Sequence, residues 1–93
     1  MQTGIYQHYK GKQYLVLGSA LLEDSLTPAI IYQALYDEYT LWIREEKLFE
    51  EHLTLPEYSY TGPRFRFIRT WTEEDAKKYP KALSPFPLNE IPH

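Results

Sequence analysis

Gly4-Ile5-Tyr6-Gln7-His8-Tyr9-Lys10-Gly11-Lys12-Gln13-Tyr14-Leu15-Val16-Leu17-Gly18 spells strand, tight turn, strand. Gly11 supplies the permissive backbone that a turn at Lys10-Gly11-Lys12 needs, and tyrosines recur along both arms. Residues 14–17 of the second arm are apolar on both faces, the pattern of a central strand covered by protein on each side. The hairpin points to a small, aromatic-rich β domain. Nothing else in the chain spells a catalytic constellation, a metal signature or a phosphate loop.

Ninety-three residues make one domain with a modest core. Nine Tyr, four Phe and two Trp compensate, because a few large rings fill a small interior and others remain for surface contacts. The chain has no cysteine, which excludes thiolate chemistry and fits a reducing cytoplasm. Residues 1–10 lack the apolar core of a signal peptide. The longest nearly apolar run, residues 14–22, is far short of the ~20 residues that span a bilayer. A net charge of −3 hides an uneven pattern. Lys10 and Lys12 are the charges of the first hairpin, acids dominate residues 21–60, and Arg64, Arg66, Arg69, Lys77, Lys78 and Lys81 follow.

Residues 21–27 read as a loop closed by Pro28, and residues 29–36 as a third strand. Asp37-Glu38 turns the chain into a fourth strand, where Trp42 and Arg44 share one face and Leu41 and Ile43 the other. Short links between these strands imply an antiparallel meander. Between Glu45 and Leu53, apolar residues at helical spacing among acids predict one or two helical turns, with His52 on a solvated face. Residues 56–63 read as a loop. Residues 64–71 alternate again as a last strand, with Phe65, Phe67 and Trp71 on one face and Arg64, Arg66 and Ile68 on the other. Thr72 is placed to cap a helix whose first turn is acidic and which stops before Pro80. The proline-rich residues 81–93 follow, with Leu83, Phe86 and Leu88 available for packing. Residues 1–71 form the β domain; residues 72–93 are a helix and tail packed on or trailing from it.

Taken together, Gly4-x-Tyr6-x-His8-Tyr9-Lys10-Gly11-Lys12-x-Tyr14-x-Val16, Tyr32-x-Ala34-Leu35-Tyr36, Leu41-Trp42-Ile43-Arg44, Phe49 and Gly62-Pro63-Arg64-Phe65 resemble a family of small bacterial proteins. It is the domain of unknown function numbered sixteen fifty-three. The resemblance covers roughly residues 4–65 and implies an SH3-like barrel, in agreement with the meander. It carries no established activity and so no functional residue. Two departures stand out. Members of this family place Arg-His-Ser-Glu after the second strand, where this chain has Leu21-Leu22-Glu23-Asp24. The proline that usually follows Trp-Val-Arg is Glu45 here.

Candidate chemistry is sparse. His8 has no sequence partner that would make it a general base, and His52 and His93 are too scattered to join it around a metal. Adjacent carboxylates such as Glu23-Asp24 point in different directions and make poor acid–base pairs. Trp42 and Arg44 could offer an aromatic platform beside a cation, or lie as core with a snorkelling arginine. The fold expected is mainly β: a small, partly open, SH3-like antiparallel barrel of five or six strands with one or two short helices. The function expected is noncatalytic binding of a peptide or partner protein, without cofactor, metal or membrane. The surface expected to carry it comprises Tyr6, His8, Tyr9, Glu23, Tyr32, Trp42, Arg44 and Arg64. One alternative is RNA or single-stranded DNA binding through Lys10, Lys12, Arg64, Arg66 and Arg69. Another is a small enzyme on a nucleotide-like ligand, with His8 and Glu23 or Asp24 in one pocket.

Overall fold

The computed structural model describes residues 1–87. Seven strands, two short α-helices and one 3-10 turn follow in the order β1 (Gly4–His8), β2 (Gln13–Leu21), β3 (Pro28–Ala34), β4 (Leu41–Glu45), α1 (Glu46–Phe49), β5 (His52–Leu55), the 3-10 turn (Pro56–Tyr58), β6 (Tyr60–Pro63), β7 (Phe65–Arg69) and α2 (Glu73–Lys78). Five strands form one antiparallel sheet in the order β4-β3-β2-β1-β7, and β5 pairs with β6 in a second, two-stranded sheet. The fold is mainly β and open; the sheets do not close into a barrel.

The first hairpin forms as its residues dictate. Gly11 takes φ +107° in the turn, and Tyr6 pairs with Tyr14 across the two arms. Strand alternation then divides the apolar residues between two cores. One face of the large sheet carries Tyr6, Val16, Ile30, Tyr32 and Phe65, capped by Phe49 of α1, whose ring stacks on Phe65 at 4.1 Å. The other carries Ile5, Leu15, Leu17 and Leu35, packed against Trp71, Tyr79 and Ala82. Burial on both sides explains the apolar run of β2.

A bulge in β2 ties the C-terminal segment to the second face. The register with β3 shifts between Val16 and Gly18, so Leu17 has no opposite number. Its carbonyl accepts the N–H of Phe86 at 2.7 Å, and the Phe86 ring lies over Gly18. Nearby, Leu83 N–H donates to the buried Gln33 Oε1 at 2.8 Å. The tail therefore docks through Phe86 and the Leu83 backbone; Leu88 and His93 lie outside the described residues.

Thr72 caps α2 as its sequence predicts. The Thr72 hydroxyl accepts from Asp75 N–H while the Asp75 carboxylate accepts from Thr72 N–H, a reciprocal capping box. Arg69 donates to the same carboxylate and anchors α2 to β7.

Three expectations need correction. The helical turn expected after Glu45 forms at Glu46–Phe49, but His52 opens β5 instead of lying on a helix. Residues 56–63 contain the 3-10 turn and β6, which raises the strand count to seven. Strand β7 ends at Arg69, so the alternation does not carry on to Trp71, which packs on the opposite face from Phe65.

Candidate functional site

His8, Tyr14, Tyr32, Trp42, Arg44 and Phe65 line a surface depression of about 170 Å³. The register brings them together. His8 pairs with Phe65, Tyr32 pairs with Trp42, and Tyr14 lies on the hairpin arm opposite Tyr6. Alternation sends all of these side chains to the face that carries Phe49. Tyr32 and Phe65 are buried and form the floor; Trp42, on edge strand β4, is 49% exposed and forms a wall.

The electrostatics favour acceptor ligands. His8 Nδ1 accepts the backbone N–H of Lys10 at 3.1 Å, which leaves Nε2 to carry the proton of the neutral ring. Burial lowers the His8 pKa, and the Arg64, Lys10 and Arg44 charges push it further down, so the ring is neutral at pH 7. Arg44 adds a guanidinium, and no carboxylate lines the depression. Tyr14 and Tyr36 share a hydroxyl–hydroxyl hydrogen bond at 2.5 Å. Burial, then that bond, raises the Tyr14 pKa, so its phenol stays protonated.

Beside this depression lies a more open one of about 440 Å³, lined by Tyr9, Lys10, Tyr58 and Tyr60. The His8 and Tyr9 rings are 4.4 Å apart, and Tyr9 stacks on Tyr60 at 5.4 Å. An aromatic surface thus runs from Trp42 past His8 to Tyr60.

Of the residues singled out in the sequence, His8, Tyr32, Trp42 and Arg44 come together, and Tyr9 lies next door. Tyr6 is a core residue, only 7% exposed, whose hydroxyl donates to the Gln2 carbonyl at 2.7 Å. Glu23 is exposed in the 22–27 loop and lines none of these surfaces. Arg64 donates to Glu51 Oε1 at 2.6 Å, and its buried Nε has no partner. Sequence reasoning missed Tyr14, Phe65, Tyr58 and Tyr60 as lining residues. Tyr14 was within reach, because the short turn places it across from Tyr6 on the face of His8. Tyr58 and Tyr60 were not, because the 56–63 segment gives no strand alternation. Among the described residues, no three of His, Cys, Asp and Glu come together as metal ligands would.

The profile of a protein family of unknown function, DUF1653, matches residues 4–69, from β1 to the end of β7. The chain belongs to this family. A crystal structure of a DUF1653 protein from Bordetella bronchiseptica has a similar fold, with a TM-score of 0.68. It is 27% identical, and the alignment covers 77% of this chain and 92% of that one. No curated protein matches the chain. The strands that build the Trp42 depression all lie within the DUF1653 match, whereas α2 and the docked tail lie beyond it.

Proposed function

We propose that this DUF1653 protein is a noncatalytic binding module that receives an acidic side chain or terminal carboxylate of a peptide or partner protein. The observation that carries this reading is the half-exposed Trp42 beside Arg44, over a buried aromatic floor, with donors and no carboxylate in the lining. Small-molecule sites usually run from about 300 to 1,000 Å³. At about 170 Å³ this depression suits one side chain of a larger ligand better than a whole metabolite. A carboxylate would meet Arg44 in a charge-assisted hydrogen bond, with adjoining apolar atoms on the Trp42 ring.

Catalysis is less well supported. Nδ1 of His8 is engaged by Lys10 N–H and its other nitrogen is a donor, so the ring lacks a free lone pair for general-base work. Neither Glu23 nor Asp24 lines the depression that holds His8. The nucleic-acid reading loses two of its five cations, since Arg64 pairs with Glu51 and Arg69 with Asp75. The cysteine-free chain fits a cytoplasmic module, and among the described residues no helix is long and apolar enough to cross a membrane.

The test is an amide-resolved NMR titration with two blocked five-residue peptides, one with a central glutamate and one with glutamine there. The glutamate peptide is expected to shift Trp42, Arg44 and His8 and to bind about tenfold more tightly. Arg44→Ala should erase the difference. No shift with either peptide at millimolar concentration would overturn the reading. So would salt-sensitive shifts at Lys10, Lys12 and Arg66 with a short mixed-sequence RNA, which would promote nucleic-acid binding.

A further inference from the structure

The two edges of the large sheet are built differently. Edge strand β7 carries Arg66 and Arg69, lies beside a register shift at Ile5/Tyr6, and is followed at once by the segment that packs Trp71 and α2. Charges and irregularities of this kind block further strand pairing. Edge strand β4 has none of that protection at its centre. Its register with β3 is unbroken, and Leu41, Trp42 and Ile43 are consecutive apolar residues, 51%, 49% and 64% exposed.

The hydrogen-bond alternation fixes which backbone groups of β4 are unused. Leu35 N–H donates to Gln13 O on the β2 side of β3, and Ala34 N–H donates to Thr40 O on the β4 side. In an antiparallel ladder the pattern repeats every second residue. The even residues of β3 therefore bond to Trp42 and Arg44, and the N–H and C=O of Leu41 and Ile43 point outward. Among the described residues these outward groups have no partner from another element.

We infer that β4 pairs with β4 of a second copy of this chain, antiparallel about a two-fold axis at Trp42. That register sets Leu41 opposite Ile43 of the partner copy, and Ile43 opposite the partner's Leu41. Both are hydrogen-bonded pairs that use the four outward groups on each strand. It also sets Trp42 opposite the partner's Trp42 in a non-hydrogen-bonded pair, where side chains approach most closely and aromatic pairs stabilise best. Sliding by one residue faces outward groups with inward ones, and sliding to centre on Ile43 sets Leu41 against the partner's Glu45 carboxylate. Centred on Trp42, the sequence Leu41-Trp42-Ile43 is thus complementary to itself, which is what an isologous interface requires. The assembly would be a ten-stranded continuous sheet, two five-stranded sheets joined at β4. It would bring the two Trp42 depressions side by side, so that each copy supplies an aromatic wall to the other's site. The Trp42 ring also serves the ligand proposed above, and measurements made without peptide test the dimer alone.

Sedimentation equilibrium over micromolar to millimolar concentrations tests it, together with amide hydrogen exchange on the same samples. The expected mass rises from 11.1 kDa toward twice that value. The Leu41 and Ile43 amides should gain protection as the dimer fills, whereas the Trp42 amide, already bonded to β3, should change little. Ile43→Lys lies on the face away from the depression and should raise the dimer dissociation constant about a hundredfold while leaving the monomer folded. A mass of 11.1 kDa up to millimolar concentration would overturn the inference. A dimer that survives Ile43→Lys, or forms without protecting Leu41 and Ile43, would overturn it equally. The exchange measurement uses the unmodified protein, so it decides the matter even if the variant misfolds.

Discussion

The backbone N–H of Lys10 donates to Nδ1 of His8 across 3.1 Å, inside the turn of the first hairpin. One local hydrogen bond therefore settles the tautomer of the imidazole that lines the candidate site. Burial is the main cause of the lowered His8 pKa, with the Arg64, Lys10 and Arg44 charges adding to it. In the folded protein the ring should titrate below its ordinary value near 6.5, as the Nε2–H tautomer. A nitrogen-15 NMR pH titration reads both properties. A folded-state pKa below the unfolded one means that the unfolded chain binds the proton first as pH falls. The stability associated with neutral His8 is thus complete above about pH 6.5 and is lost as pH falls through the folded-state pKa. An ordinary or raised value would contradict the burial of His8, and an Nδ1–H tautomer would contradict its bond from Lys10.

Asp75 titrates in a different window. Its hydrogen bond from Arg69 is the largest cause of a pKa lowered to about 2, with further bonds from Thr72 N–H and Oγ1. Its contribution to stability is present above the ordinary carboxylate pKa near 3.8 and is lost as pH falls through about 2. Asp75→Asn should cost about 1–3 kcal/mol and loosen α2, because it removes a charged partner and half of a capping box. Urea unfolding at pH 7 measures the cost. Equal stability of the variant and the parent would show that Arg69 and Thr72 do not hold α2.

Phe49 joins α1 to the sheet. It is buried, stacks on Phe65 at 4.1 Å, and meets Tyr6 and Tyr32 edge-on at 5.6 and 5.2 Å. Phe49→Ala should cost about 3–5 kcal/mol, as for other buried aromatic truncations. Phe67→Ala, at a position 37% exposed, should cost well under half as much. Thermal unfolding of the two variants compares them directly, and similar losses would mean that the core is not centred on Phe49.

Gly18 is the seat of Phe86. A Cβ there would come within 2.6 Å of the Phe86 ring and 3.4 Å of its Cβ. Gly18→Val should therefore displace the tail and break the bond from Phe86 N–H to Leu17 O, while the sheet stays intact. Amide exchange should show Phe86 losing protection and Leu15 keeping it. Unchanged protection of Phe86 would mean that its docking does not depend on this contact.

Much of this molecule is legible in the chain itself. Gly11 between two lysines sets the first turn, and Thr72 ahead of an acidic run marks the N-cap of α2. Pro80 follows the helix end at Lys78 as its missing N–H requires. These are local effects, decided within a few residues by backbone sterics and short-range hydrogen bonds. Periodicity fails where elements are very short. Strands β5 and β6 have four residues each, and neither His52-Leu53-Thr54-Leu55 nor Tyr60-Thr61-Gly62-Pro63 reveals which strand it will pair with.

The site divides in the same way. Alternation places Trp42 and Arg44 on one face of β4 and Tyr6 and His8 on one face of β1. It cannot say that Tyr6 is sealed beneath Phe49 while Trp42 stands half in solvent, because that depends on β1 lying inside the sheet and β4 at its edge. Nor can it say that Arg64 and Arg69 are held by Glu51 and Asp75. Interactions between neighbours in the chain set the β1–β2 and β3–β4 hairpins, the two faces of β4 and the cap of α2. Strand order, and with it the choice of which aromatic rings and cations stay exposed, was decided by long-range packing, because burial depends on what the rest of the chain lays over each residue.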